Sequence, residues 1–105
     1  MVITDEITTY LYMLRCEDNG LYIGISTKLE QRIANHMLGS GARYTKKNPP
    51  TKLVYVRKFN SRIDALRTEK KYKTYTRARK EKLIAEFQKE FDNFELDLQT
   101  LITKL

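Results

Sequence analysis

Apolar and polar residues alternate along residues 8–16 (TTYLYMLRC), and this period-two, Tyr- and Thr-rich pattern predicts a β-strand. Residues 21–26 (LYIGIS) repeat it and predict the partner strand of a hairpin. The EDNG between them is a turn signal, and the length of the loop decides which side chains share a face. A two-residue loop, Asn19-Gly20, pairs Glu17 with Tyr22 and separates Tyr12 from Tyr22. A three-residue loop, Asp18-Asn19-Gly20 with Gly20 left-handed, pairs Cys16 with Tyr22. Leu11, Met13, Leu21, Ile23 and Ile25 then share one face, and Tyr10, Tyr12, Tyr22 and Gly24 share the other. A one-residue slip would invert every side chain, so the choice is all-or-none. The consistently apolar face favours three residues.

From Thr27 the period lengthens to that of a helix. Thr27 and Glu30 have capping-box spacing, which starts a helix near Lys28. Leu29, Ile33 and Met37 form its buried stripe, while Arg32 and His36, four apart, form a second row that points together. Gly39 and Gly41 end it. GSGARYTKKNPP reads as a basic loop, and KLVYVRKF as a third strand in which Leu53, Tyr55 and Arg57 alternate with Val54, Val56 and Lys58. Ser61 with Asp64 opens a helix through about Lys73 with Ile63, Ala65 and Leu66 inward, and Thr76 caps another. In that last helix Ile84, Phe87, Phe91, Phe94, Leu98, Leu101 and Leu105 recur at 3-4 spacing, a heptad seam that is either continuous or broken near Asp92. A seam this apolar must be covered, by docking on its own domain or by a homodimer through residues 84–105. The expected class is α+β: a small antiparallel three-stranded sheet flanked by helices, with a C-terminal helical extension.

Charge adds a partner to this picture. Of 20 Lys and Arg, 15 lie between Arg43 and Lys82 against three acids, a local net charge of +12, whereas the chain after Lys82 is net acidic. Tyr44, Tyr55, Tyr72 and Tyr75 sit among these cations. Cations interleaved with aromatics suit a phosphate backbone, DNA or RNA. The charges are spread over loop, strand and helix, which disfavours a membrane surface, and no apolar run is long enough to span one. One His and one Cys disfavour a zinc site, and Cys16 has no internal disulfide partner. The acidic start MVITDEITTY lacks the pattern of a secretory signal, so the expected location is cytoplasmic.

The residues YLY at 10–12, YIG at 22–24, Arg32, His36 and Glu69 resemble, in order and spacing, the GIY-YIG nuclease family. GSGARYTKKNPPTKLVY and TRARKEKLI look most like its small, single-domain bacterial subgroup. The resemblance covers residues 8–88 and leaves 89–105 as the helical extension. It implies an endonuclease-like hydrolase that cuts phosphodiester bonds, with DNA favoured over RNA and DNA repair or recombination as its setting. The implied catalytic residues are Tyr12, Tyr22, Arg32, His36 and Glu69. Tyr22 would be the general base, Arg32 would hold the scissile phosphate, and Glu69 would ligate one Mg²⁺ or Mn²⁺. Tyr12 and His36 would supply hydrogen bonds or proton transfer, and Gly24 would leave room for backbone to approach substrate. A tyrosine titrates near pH 10, so a tyrosine base needs cationic neighbours or a metal-bound water. Nucleic-acid contacts are expected from Arg43, Tyr44, Lys46, Lys47, Lys73, Arg77 and Arg79. The first motif has Tyr10 where the family has glycine, and no asparagine follows the glutamate between Lys70 and Lys89. That second departure keeps open an alternative: a non-catalytic nucleic-acid-binding module on the same fold.

Overall fold

The computed structural model describes residues 6–91 and the backbone of residues 96–97. Its elements in chain order are β1 (Thr9–Cys16), β2 (Leu21–Ser26), α1 (Leu29–Met37), α2 (Arg43–Lys47), β3 (Pro50–Phe59), α3 (Arg62–Lys73), α4 (Arg77–Glu90) and β4 (Leu96–Asp97). The strands form one antiparallel sheet in the order β2-β1-β3-β4. The three long strands are those expected; β4 is a two-residue addition against Lys52 and Leu53 of β3.

Helices cover both faces of this sheet. Leu11, Met13, Ile23, Val54 and Tyr55 pack with Tyr72 of α3 and Ile84 of α4. Tyr12, Leu14 and Leu53 pack with Ile33 of α1 on the opposite side. Central β1 therefore has Leu11 to Leu14 wholly buried. Each such large side chain contributes about 1.5–3 kcal/mol of burial. No helix of the described residues is long and apolar enough to cross a membrane.

The hairpin has three loop residues, displaced by one from the expected position. Cys16 N–H donates to Gly20 C=O at 3.0 Å, so Glu17, Asp18 and Asn19 form the loop. Asn19, not Gly20, takes the left-handed conformation at φ 63°, which asparagine tolerates better than other side chains. Tyr22 consequently pairs with Leu14 rather than Cys16. This is a shift of two residues, so the expected partition of faces survives intact.

Other local expectations are corrected. Thr27 makes no capping bond; Ser26 Oγ instead accepts from Lys28 N–H at 3.0 Å, and α1 begins at Leu29. Ser61 and Thr76 do cap α3 and α4, accepting from Asp64 N–H and Arg79 N–H. The basic loop contains the short helix α2. In β3 the alternation breaks at a register shift: Met13 faces Tyr55 while Leu14 faces Leu53, and Val54 bulges between them. One strand thereby feeds Leu53 and Val56 to one core and Val54 and Tyr55 to the other.

In α3 the buried stripe is Ala65 and Tyr72, whereas Ile63 and Leu66 are exposed. A C-terminal helix is present as α4, but it ends at Glu90, and residues 96–97 are a strand. Of the two expectations for the seam from Ile84 to Leu105, the break near Asp92 is the one found. Its residues Phe94, Leu98, Leu101 and Leu105 lie outside the described residues, as do all side chains beyond Phe91.

Candidate active site

The site grows from the hairpin register. Tyr12 lies directly opposite Gly24, and Tyr22 projects from β2 on the same face. A Cβ placed on Gly24 would stand 2.6 Å from the Tyr12 hydroxyl oxygen and 2.9 Å from Cε2 of Tyr22. The glycine thus makes room for the two tyrosine rings.

Helix α1 lays its second row on these rings. Its Ile33 anchors in the core, which turns Arg32 and His36 toward the tyrosines. His36 is fully buried, and its ring centroid lies 4.8 Å from that of Tyr22 and 5.8 Å from that of Tyr12. Tyr12 Oη and His36 Nε2 are 2.7 Å apart, and His36 Nδ1 is 2.6 Å from Thr45 Oγ1. The half-buried Arg32 guanidinium lies close enough to Tyr12 and Tyr22 for the charges to interact, and both hydroxyls favour its charged form.

Burial and then the Arg32 charge push the His36 pKa down from 6.5 to about 4. Burial, reinforced by Tyr22, raises the Tyr12 hydroxyl above the ordinary tyrosine range, against the opposing pull of Arg32. At neutral pH the buried pair is therefore a neutral imidazole hydrogen-bonded to a protonated phenol. It orients groups and carries no charge of its own.

Glu69 arrives from α3 for a periodic reason. It lies between Ala65 and Tyr72 at i+4 and i+7, on the buried stripe of that helix, and its side chain is 14% exposed. Its charge is felt at Tyr12. Lys73 lies one turn on, with Nζ 3.7 Å from Glu69 Oε2, a long and loose ion pair. No group of three or more His, Cys, Asp or Glu suited to a metal occurs among the described residues. A single hard carboxylate fits Mg²⁺ or Mn²⁺ held by one protein oxygen with phosphate and water, and does not fit a zinc cage.

Beside Arg32 the surface is open and polar. A hollow of about 210 Å³ is lined by Ser26, Thr27, Lys28, Gln31, Arg32 and Asn35. A separate groove of about 460 Å³ between β3 and α4 is bordered by Tyr55, Arg57, Leu83 and Phe87 and includes none of the five site residues.

The expected contact residues fall into two groups. Arg43, Lys46 and Lys47 project to solvent from α2, next to the His36 end of the site. Tyr44 on the same helix donates to Asp18 Oδ2 at 2.6 Å. The remaining cations carry structural contacts. Lys73 pairs with Glu69, Arg77 donates to Glu81 and to the Asn19 carbonyl, and Arg79 stacks at 3.8 Å over the Tyr75 ring. Thr45 is the member of the site that sequence reasoning missed. A buried threonine in a polar, basic stretch has no periodic signature, although the Gly-Ser-Gly before it marked a chain reversal close to His36.

A hairpin that sets Tyr12 and Tyr22 against His36 and Arg32, with the Glu69 charge felt at Tyr12, is the arrangement of a particular domain type. The model of the GIY-YIG catalytic domain matches residues 8–82, and the chain belongs to the GIY-YIG family. It is 47% identical over 77 residues to a UPF0213 protein of Staphylococcus haemolyticus, covering 73% of this chain and 94% of that one. The solution NMR structure of a UPF0213 protein from Bacillus halodurans aligns with a TM-score of 0.55 at 35% identity, over 82% of this chain and 92% of that one. A solution NMR structure of a protein from E. faecalis aligns with a TM-score of 0.56 at 32% identity over the same shares. The family is one of endonucleases, which points to nuclease chemistry and to a nucleic-acid partner.

Proposed function

We propose that the protein is a Mg²⁺- or Mn²⁺-dependent endonuclease-like hydrolase acting on DNA in the cytoplasm. The reading is supported by the Tyr12–His36 hydrogen bond of 2.7 Å, with Tyr22 against the His36 ring, the Arg32 charge acting on both tyrosines, and the Glu69 charge felt at Tyr12. Tyr22, on the half-exposed side of the pair, takes or relays the proton of the attacking water. Arg32, whose charge lies beside the two tyrosines, holds the phosphate, where its planar fork stabilises charge growing on the oxygens. Glu69 holds the divalent ion. When bound, that ion supplies Lewis acidity at the phosphate. Tyr12 and His36, both neutral, keep the Tyr22 and Arg32 side chains in place.

The exposed cations of α2 and the basic α3 and α4 supply contacts to the phosphate backbone. Affinity for a duplex should fall steeply with salt as these contacts are screened, and Arg43→Ala, Lys46→Ala and Lys47→Ala together should lower the log–log slope by about 3. An unchanged slope would remove α2 from the interface.

The deciding assay offers duplex, nicked, branched and single-stranded DNA with Mg²⁺ or Mn²⁺ to the wild type, Tyr22→Phe and Glu69→Ala. Metal-dependent cutting lost in both variants supports the nuclease. Salt-sensitive binding without cutting, in wild type and variants alike, selects the non-catalytic binding module. The missing asparagine between Lys70 and Lys89 is what favours that second reading.

A further inference from the structure

The GSGARYT stretch at residues 39–45 carries exposed cations, and its Thr45 makes the shortest polar contact on the buried histidine, 2.6 Å against 2.7 Å for Tyr12. We propose that Thr45 is a positioning residue: its hydroxyl accepts the Nδ1 proton of His36, fixes one tautomer of the ring, and so makes Tyr12 donate its proton to Nε2.

Thr45 is the inward residue of α2, 1% exposed between solvent-facing neighbours. Its Oγ1 lies 3.0 Å from the carbonyl of Ala42, the back-bond a threonine makes within a helical turn. With its single proton spent there, Oγ1 can only accept from Nδ1, 2.6 Å away. Nε2 is then bare and accepts from the Tyr12 hydroxyl. Every donor in the chain Tyr12, His36, Thr45, Ala42 is satisfied in this direction. In the reverse direction the Tyr12 proton would find no acceptor among the described residues, a costly outcome for a phenol with no exposed surface. The approach of the loop depends on Gly41: a Cβ there would stand 2.5 Å from His36 Nδ1 and 2.8 Å from its Cα.

The consequence for the site is directional. A Tyr12 oxygen that donates to His36 turns its lone pairs toward Arg32, which holds the guanidinium beside Tyr22. This catalytic consequence rests on the nuclease reading; the hold of Thr45 on His36 does not.

His36 is the only histidine of the chain, so a long-range ¹H–¹⁵N spectrum of the labelled full-length protein shows a single imidazole. The expected wild-type ring has a protonated Nδ1 and a bare Nε2. Thr45→Val should move the ring toward the other tautomer or a mixture, and Thr45→Ser should restore it. In the cleavage assay Thr45→Val should lower kcat by about 10- to 100-fold with KM nearly unchanged, again restored by Ser. A protonated Nε2 in the wild type overturns the proposal, and this test stands even where Thr45→Val fails to fold. So does a tautomer that Thr45→Val leaves unchanged. A tautomer that responds as expected while kcat does not overturns the directional role. A responding tautomer in a wild type that cuts nothing supports the Thr45–His36 bond and removes the nuclease reading instead.

Discussion

The two faces of the sheet each bear a pair of tyrosines and an arginine, and only one has the makings of an active site. On the α1 side Tyr12 and Tyr22 meet Arg32. On the α3 and α4 side Tyr55 and Tyr72 share a 3.2 Å hydrogen bond, and Arg57 donates to the Tyr72 hydroxyl at 2.9 Å. There both tyrosines are buried, Phe87 packs on Tyr55, and the Arg57 guanidinium sits 4.7 Å over the Phe59 ring. The pair consumes its own hydroxyl bonds and its arginine is spent on it. On the α1 side the histidine takes the buried hydroxyl, Tyr22 stays half-exposed, the Glu69 charge is felt at Tyr12, and Arg32 borders an open polar hollow. The same residue types become chemically available or inert according to the third partner.

The sharpest test of this contrast removes one hydroxyl from each face. Tyr22→Phe should lower cleavage by about 10² to 10⁴-fold with little change in stability. Tyr55→Phe should leave cleavage within about twofold and lower unfolding free energy by about 1 kcal/mol. Equal effects on cleavage would erase the distinction.

Acid should weaken the α1 face through His36. Its pKa falls from 6.5 to about 4 on folding, so the folded protein binds that proton less well than the unfolded chain. The stability this gives is complete above pH 6.5 and is lost as pH falls toward 4, about 3 kcal/mol across that window. Urea unfolding of the wild type and His36→Gln at pH 7 and pH 4 measures it. The variant should lose less, and identical losses would detach the acid response from His36.

Gly24→Ala tests the packing of the two rings. With its Cβ 2.6 Å from the Tyr12 oxygen, the variant should lose about 1–3 kcal/mol, read as a lowered denaturant midpoint with an unchanged slope. A smaller loss contrasts the helices that serve each face. Ser61→Ala should lower stability by about 1 kcal/mol because Ser61 caps α3, whereas Thr27→Ala should change it by under about 0.5 kcal/mol because α1 has no side-chain cap.

These elements also show which parts of the molecule can be read from its sequence. The parity of the hairpin put Tyr12 and Tyr22 on one face even though the loop was displaced, because a two-residue shift cannot invert a strand. The Arg32–His36 row followed from helical spacing alone. The bulge at Val54 could not be foreseen, since it arises where one strand must supply two cores. The exposure of Ile63 and Leu66 reflects how α3 rotates to seat Ala65 and Tyr72, a tertiary preference that outweighs local hydrophobicity. The end of α4 at Glu90 fits the break expected near Asp92, although the heptad pattern runs on unbroken, so periodicity states what a segment can do and not where packing stops it. Thr45 was hidden for the complementary reason: its role is a single long-range bond, and single bonds have no period.

The hairpin tip, finally, is tied down on two sides. Asp18 takes the Tyr44 hydroxyl of α2, and the Asn19 carbonyl takes the Arg77 guanidinium of α4. Exposed turns are ordinarily where proteins admit insertions and changes of chain connectivity. Here the turn works as a keystone between helices on opposite sides of the sheet. A tag or a circular permutation placed at Asp18–Asn19 would release α2 and α4 together, so any re-engineering of this molecule should begin elsewhere.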